Sequence, residues 1–479
     1  MDPNRLADAD ALTLARWIRG GQAGAVEAFD AVASRIAQHN PALNAIVRFD
    51  AEPGRAEAEQ AQQRLAGGDT APLLGVPFTV KDNLWVEGRV VCQGSRRFEH
   101  FIAPQDAFAV QRLRAAGAVF AGFTNCSEFA CKGVTTNRLY GATRNPYDTA
   151  RTPGGSSGGA AAAVAAGLTP IALATDGGGS TRRPASHAGV VGMKPSAGLV
   201  PHPTGFVEPL FGNAVIGQMA RRVADIVAML DAIAVPSLVD PQGLPVAVWD
   251  GADADPARLP ADLRIAFSPR TGLDVPVDDD VASQVEAAVE RLARAGHRVV
   301  RADPSWPDAA DHGFAMVLQH AGLAALYGQA LRRGEWDADP DIALQIEAGL
   351  RLAGAEVAAA LFARDAFYRT FAAFFAQHDL LLTPTTPCTA WPWSLPGPST
   401  IGGQAVGPRG HAVFTAHVNH CFLPACSVPV GLDRAGLPVG LQIVGPRFAD
   451  ARVLALAARI EASCPYDFSR PVLPVAATV

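Results

Sequence analysis

The sequence predicts an α/β fold: a single large domain with a mixed, largely parallel central sheet covered by helices on both faces. Three observations predict it. Hydrophobic residues make up 49% of the 479 positions and charged ones only 18%, enough apolar material for a large buried core. From about residue 72 onward, short apolar runs of strand length alternate with helical periodicity. Glycine (46) and proline (37) punctuate those runs without a fixed period.

In chain order, residues 8–66 read as helices, with Leu12, Leu14, Trp17 and Ile18, then Val26, Phe29, Val32 and Ile36, at helical spacing. Asn40-Pro41 reads as a break. This gives an N-terminal helical segment, 1–68, packed on a continuous α/β domain, 69–479. Strands are expected at Val76–Val80, Ala118–Gly122 and Ile171–Thr175, and helices at Ala107–Ala116 and Ala160–Ala166. Later strands fall at Leu263–Ser268, His297–Arg301, Leu380–Thr383, Cys426–Val430 and Val439–Val444. Later helices fall at 278–295, 342–375 and 450–463. The Pro-, Asp- and Gly-rich stretch from about 235 to 262 reads as a loop, opening a variable segment to about 375 that would shape a substrate pocket.

A formal charge of −6 gives no electrostatic grip on nucleic acid or a membrane surface. The N-terminus, Met1-Asp2-Pro3-Asn4-Arg5, has no charged segment leading into an apolar one, so no signal peptide is expected. The longest apolar stretch, Ala160 to Thr175, is interrupted by Pro170 and is too short to span a bilayer. Seven cysteines without CxxC spacing suggest neither a disulfide framework nor a zinc knuckle, and a cytoplasmic protein with free thiols is expected. Of the 40 basic residues only Lys81, Lys132 and Lys194 are lysines. A position that keeps lysine in so arginine-rich a chain is a candidate for a task arginine cannot do, such as losing its proton.

Two segments are rich in glycine and serine: Arg151-Thr-Pro-Gly-Gly-Ser156-Ser157-Gly-Gly159 and Thr175-Asp-Gly-Gly-Gly-Ser180-Thr-Arg182. Phosphate binding would need a GK[ST] ending or a GxGxxG fingerprint, and neither is present. A hydrolase elbow matches GxSxG, but it needs an apolar strand immediately before it, where this chain has Asn145 to Pro153. The third chemistry is a serine hydrolase with a lysine base. Ser180 follows an apolar strand and three glycines, Gly177, Gly178 and Gly179, whose N–H groups with that of Ser180 suit an oxyanion hole. Lys81, directly after Val76–Val80, is the lysine best placed to act as a desolvated base. The plain alternative is that the glycines serve tight turns and the serines cap helices.

Further segments carry a resemblance. Gly75-Val-Pro-Phe-Thr-Val-Lys81-Asp-Asn83, Thr124-Asn-Cys-Ser-Glu-Phe-Ala130, Asn145-Pro-Tyr-Asp148, Pro153–Gly159, Asp176–Arg182 and Gly189-Val-Val-Gly-Met-Lys-Pro195 resemble the amidase signature family in order and spacing. Leu380–Pro387, Leu423–Pro429 and Gly436–Val444 resemble its C-terminal blocks. The resemblance implies an amidohydrolase with Ser180 as nucleophile, Ser156 as bridging serine on a cis peptide bond, and Lys81 as base. It selects Ser156 over Ser157, which spacing does not. Asp176 and Arg182 would support the loop. Gly177 stands where the family usually has Thr, Ala160 where Ser is common, and Ala185-Ser-His187-Ala188-Gly189 where many members have Phe-Cys; these departures bear on the pocket's shape and remove no member of the implied triad.

The Tyr-Asp-Gly-Val-Arg-Tyr block that marks the glutaminase component of tRNA-dependent glutamine amidotransferases is absent, so a stand-alone amidase is expected. The alternatives are a glutaminase component of that kind, a hydrolase of carbamates, hydrazides or cyclic amides, or an inactive scaffold of the same fold. Trp391, Trp393 and Phe206, with Trp85 and Phe211, are the candidate pocket walls and suggest a small aryl or acyl amide. His411, His417, His420 and Cys421 have no acidic ligand beside them, and no metal or cofactor is expected. Cys126 and Cys131 are expected to pack. The expected partner is a small-molecule amide; a homodimer is the working expectation for assembly.

Overall fold

A computed structural model describes residues 1–306 and 313–464. Eleven strands among them form one sheet: β1 Ile46–Phe49, β2 Pro77–Lys81, β3 Val119–Thr124, β4 Ile171–Asp176, β5 Val191–Lys194, β6 Val215–Ala220, β7 Ile265–Phe267, β8 Val299–Arg301, β9 Leu380–Pro384, β10 Ala425–Leu432 and β11 Pro438–Val444. Their order across the sheet is β1-β3-β2-β4-β6-β5-β10-β11-β9-β7-β8.

The sheet is mixed, and its parallel part is confined to two blocks, β3-β2-β4 and β9-β7-β8. The six other pairings are antiparallel. Parallel pairing is therefore less extensive than the alternating strand–helix pattern suggests. One reason is visible at β10 and β11, whose connection, 433–437, is too short for a crossover.

Both faces are covered, as alternation along one strand demonstrates. Ile171 and Leu173 of β4 join Phe78, Val80, Leu382 and Leu441 in the largest core cluster. Ala172 and Ala174 turn the other way, onto Ala160, Val164 and Ala185 of the helices Gly158–Ala165 and Arg182–Ala188.

The N-terminal region departs from the all-helical expectation. Helices form at Pro3–Asp8, Ala11–Arg19, Ala25–Leu43 and Ala51–Ala66, but Ile46–Phe49 adds an edge strand to β3. Its Ile-Val-Arg-Phe run suits a strand, and Asn44, with φ of 49°, ends the preceding helix in the left-handed region. Pro41 lies inside that helix rather than breaking it. The Asn40 side chain instead sets the exit, accepting the N–H groups of Ala45 (2.9 Å) and Ile46 (2.8 Å).

The single helix expected over 342–375 is two, Pro340–Gly349 and Gly354–Gln377, preceded by Phe314–Arg332. Gly349 permits that arrangement, since a Cβ there would lie 1.9 Å from the His320 carbonyl oxygen. Between 235 and 262 only two short turns of 3₁₀ helix form, Gly251–Ala254 and Pro256–Arg258, close to the expected loop. No helix among the described residues is long and apolar enough to cross a membrane.

The parallel block β3-β2-β4 sets the position of the site. Val80 pairs with Leu173, so β2 and β4 deliver their carboxyl ends, Lys81 and Asp176, to the same edge. Phe78, fully buried near the start of β2, holds that strand in the largest core cluster. Phe78→Ala is expected to lower unfolding free energy by about 3–5 kcal/mol. Urea unfolding checks this; a loss under about 1 kcal/mol would mean that β2 does not anchor the core as described.

Candidate active site

Lys81 ends β2 with its side chain fully buried. Its Nζ lies 2.8 Å from Ser156 Oγ and 2.9 Å from Thr175 Oγ1. Thr175 Oγ1 also accepts from Asn83 Nδ2 at 3.0 Å. Burial pulls the lysine down to about 8, opposed by nearby groups such as Asp176 and assisted by the Arg183 cation.

Ser156 follows a cis peptide bond with Gly155. Two loops meet here, and Ser157 stitches them together: its N–H donates to the Ser180 carbonyl (3.2 Å) and its Oγ to the Thr175 carbonyl (3.2 Å). The paired serines are thus distinguished by contact, Ser156 to Lys81 and Ser157 to backbone. Thr135 Oγ1 braces the first loop from below, donating to the Gly154 carbonyl (2.9 Å) and accepting the Gly158 N–H (2.9 Å). At Gly159 a Cβ would lie 2.4 Å from the Asn125 nitrogen, so only glycine admits so close an approach.

The second loop is organised by Asp176. Its carboxylate accepts the N–H groups of Gly179 (2.6 Å), Thr181 (3.1 Å) and Arg182 (3.3 Å). It also accepts the Arg182 guanidinium, at 3.0 Å from both Nε and Nη2. Burial by itself would raise the Asp176 pKa, but the Arg182 charge and hydrogen bonds hold it below the usual carboxylate range. Arg182, also fully buried, reaches Gln442 Oε1 (2.6 Å), the Thr415 carbonyl (3.2 Å) and Asn419 Oδ1. Gly179 has a φ of +110°, and a Cβ there would lie 2.2 Å from Thr415 Oγ1. The Gly179 N–H is already committed to Asp176, which corrects the expectation that all four N–H groups of residues 177–180 face a reacting oxygen.

Arg183 carries no signal in the sequence, yet it belongs to the site. Its guanidinium donates to the Gly178 carbonyl (2.9 Å) and the Gly155 carbonyl (3.3 Å), spanning both loops. Burial, then the neighbouring Arg409 charge, pulls it down to about 9. The other two lysines also acquire places. Lys132 pairs with Asp339 at 2.5 Å, tying its loop to the start of the helix Pro340–Gly349. Lys194 is buried in β5 and donates to the Pro195 carbonyl (2.9 Å).

Ser180, Thr175, Gly177, Gly178 and Arg183 open onto a cavity of about 620 Å³. Phe206 lines it, as expected, together with Leu210, Val275, Trp306 and Met316, which sequence reasoning does not find. Trp391 and Trp393 do not line it, against expectation. Trp391 is buried between His187 (5.3 Å) and His411 (4.7 Å), and its carbonyl accepts the Thr152 N–H ahead of the Ser156 loop. Trp393 lies under the Arg144 guanidinium, 3.6 Å from the ring centre. Trp85 backs Phe206 at 5.6 Å rather than lining the cavity, and Phe211 is exposed. His417 and His420 line the cavity, while Cys421 packs in the core. Cys126 and Cys131 are both buried, though Cys131 lies at the cavity wall. Among the described residues no three His, Cys, Asp or Glu side chains converge as a metal site.

Comparison with known proteins identifies the family in which this mixed sheet and its buried serines and lysine occur. The amidase family model matches residues 27–454, and the chain belongs to that family. It is an enzyme that hydrolyses amide bonds. An acylamidase from Rhodococcus erythropolis is 36% identical over 93% of this chain and 93% of its own. The A chain of the glutamyl-tRNA(Gln) amidotransferase from Synechococcus sp. strain CC9605 is 34% identical over 96% of this chain and 98% of its own. The solved structure of 6-aminohexanoate cyclic dimer hydrolase superposes with a TM-score of 0.86 at 30% identity, covering 98% of this chain and 99% of that one.

Removing one partner of the Asp176–Arg182 pair leaves a buried charge uncompensated. Asp176→Ala is therefore expected to cost about 3–5 kcal/mol in unfolding free energy. Chemical denaturation near neutral pH is the check, and a change below about 1 kcal/mol would refute the central role given to this carboxylate.

Proposed function

We propose that this amidase works through a Ser180 acyl-enzyme, with Lys81 as base acting through Ser156. The observation that carries this reading is the 2.8 Å contact between Lys81 Nζ and Ser156 Oγ at a fully buried lysine. A neutral amine keeps N–H groups for Thr175 and one lone pair for the Ser156 hydroxyl. Lys81 takes the Ser156 proton while Ser156 takes the Ser180 proton, and Ser180 Oγ bonds to the amide carbonyl carbon. The N–H groups of Gly177, Gly178 and Ser180 receive the developing oxyanion, that of Gly179 being held by Asp176. The proton then returns through Ser156 to the amide nitrogen as the C–N bond breaks. Water releases the acyl group from Ser180 by the same relay. Arginine could not replace Lys81, because it does not deprotonate near neutral pH.

The substrate class we favour is a small aryl or acyl amide. Phe206, Leu210, Trp306 and Met316 give the cavity apolar walls of suitable size, and the similarity to an acylamidase points the same way. Free cysteines and the lack of a membrane-spanning helix among the described residues support a cytoplasmic setting.

A fluorophosphonate is expected to phosphonylate Ser180 with loss of fluoride, adding the phosphonyl mass there, and not to label a Ser180→Ala variant. Lys81→Ala should lower kcat/KM by at least about a thousandfold. Because the base acts unprotonated, kcat/KM should rise with pH and level off above about 8. An adduct elsewhere, an active Lys81→Ala, or a flat profile between about pH 6 and 10 would each sink the mechanism.

A further inference from the structure

The cavity wall carries positive charge that no carboxylate among the described residues fully neutralises. Three cationic side chains line it: Lys132, Arg183 and Arg409. Lys132 is matched by Asp339 at 2.5 Å, with Asp341 at 3.8 Å. Arg183 donates from Nη1 and Nη2 to two carbonyl oxygens, which leave its charge in place, and its buried Nε has no hydrogen-bond partner among the described residues. Arg409 has one protein acceptor among the described residues, the Cys131 carbonyl at 3.1 Å from Nη2. The same carbonyl accepts Gln319 Nε2 and Gln345 Nε2, both at 3.3 Å, so Arg409 is oriented by a fixed oxygen. Its remaining N–H groups have no protein partner among the described residues, and no carboxylate there forms an ion pair with it.

Among the described residues, the acidic groups along the cavity are engaged elsewhere or sit at its rim. Glu208 accepts the backbone N–H groups of Leu210 (2.7 Å) and Asn213 (3.2 Å). Asp274 is exposed. Asp341 acts on Arg409 only through space, and it is half-exposed beside Lys132. A guanidinium left without a counter-ion in a partly desolvated site is costly unless an anion completes it, and its planar fork matches a carboxylate. We propose that the cavity takes amides that carry a carboxylate, with Arg409 pairing with that group and the apolar wall holding the remainder. This rests on the hydrolase reading above and names its substrate class.

The test compares matched pairs of amides. On the amine side these are 4-acetamidobenzoate and 4-acetamidotoluene; on the acyl side, the mono-4-nitroanilide of succinic acid and the 4-nitroanilide of 4-methylpentanoic acid. The carboxylate member of at least one pair should be preferred by about tenfold or more in kcat/KM, mainly through KM. The preferred pair tells whether the anion sits on the acyl or the amine side. Arg409→Gln should bring that ratio to parity, and Arg409→Lys should keep most of it. No carboxylate preference in either pair, or a preference that survives Arg409→Gln, overturns the proposal. If no amide is cleaved, the hydrolase reading fails first. Calorimetry on Ser180→Ala then decides the anion site separately: tighter binding of 4-acetamidobenzoate than of 4-acetamidotoluene supports it, and equal or weaker binding overturns it.

Discussion

The buried ion pair between Asp176 and Arg182 is the interaction on which the site depends. Two unit charges removed from water are expensive, and the attraction between them offsets that cost only when their remaining hydrogen-bonding capacity is filled. Here it is filled by the loop itself, through the N–H groups of Gly179, Thr181 and Arg182. It is filled also by distant parts of the chain, through Gln442 of β11 and Asn419 and Thr415 ahead of β10. The turn carrying Ser180 is thus braced by side chains and backbone of the C-terminal third of the chain. The same carboxylate takes the Gly179 N–H for the turn itself.

Much of this is legible in the residues. Lys81 stands out because lysine is so scarce and because it ends an apolar strand, and the parallel pairing of β2 with β4 brings it to the Ser180 loop. Ser156 and Ser157 are inseparable by spacing, since both sit among glycines. What separates them is the direction of each side chain, one towards Lys81 and one towards the Thr175 carbonyl. Lys132 and Lys194 have no role readable in the sequence because their partners, Asp339 and the Pro195 carbonyl, depend on tertiary packing or a local backbone turn.

The pocket is much less legible, for a physical reason. Its walls come from Trp306 and from short stretches around 206–210, 272–275, 315–319 and 409–420, brought together only by the fold. Nothing local distinguishes Trp306 from Trp391: both are tryptophans near apolar segments, and only packing puts one at the cavity and the other behind the Ser156 loop. The edge strand Ile46–Phe49 escapes sequence reading for a related reason. Four residues between two helices give too short a period to read, and pairing with β3 decides the matter.

The stitch made by Ser157 has a wider consequence. By joining the Ser180 carbonyl to its own N–H and the Thr175 carbonyl to its hydroxyl, it ties the two serine-bearing loops directly to each other. Most of the cavity wall beyond them is built from separate stretches of chain. Wall stretches such as 206–210 and 272–275 make none of these stitching contacts, so changes there can recast the mould around the atoms proposed to react, whereas 409–420 also holds the Asp176–Arg182 pair through Thr415 and Asn419.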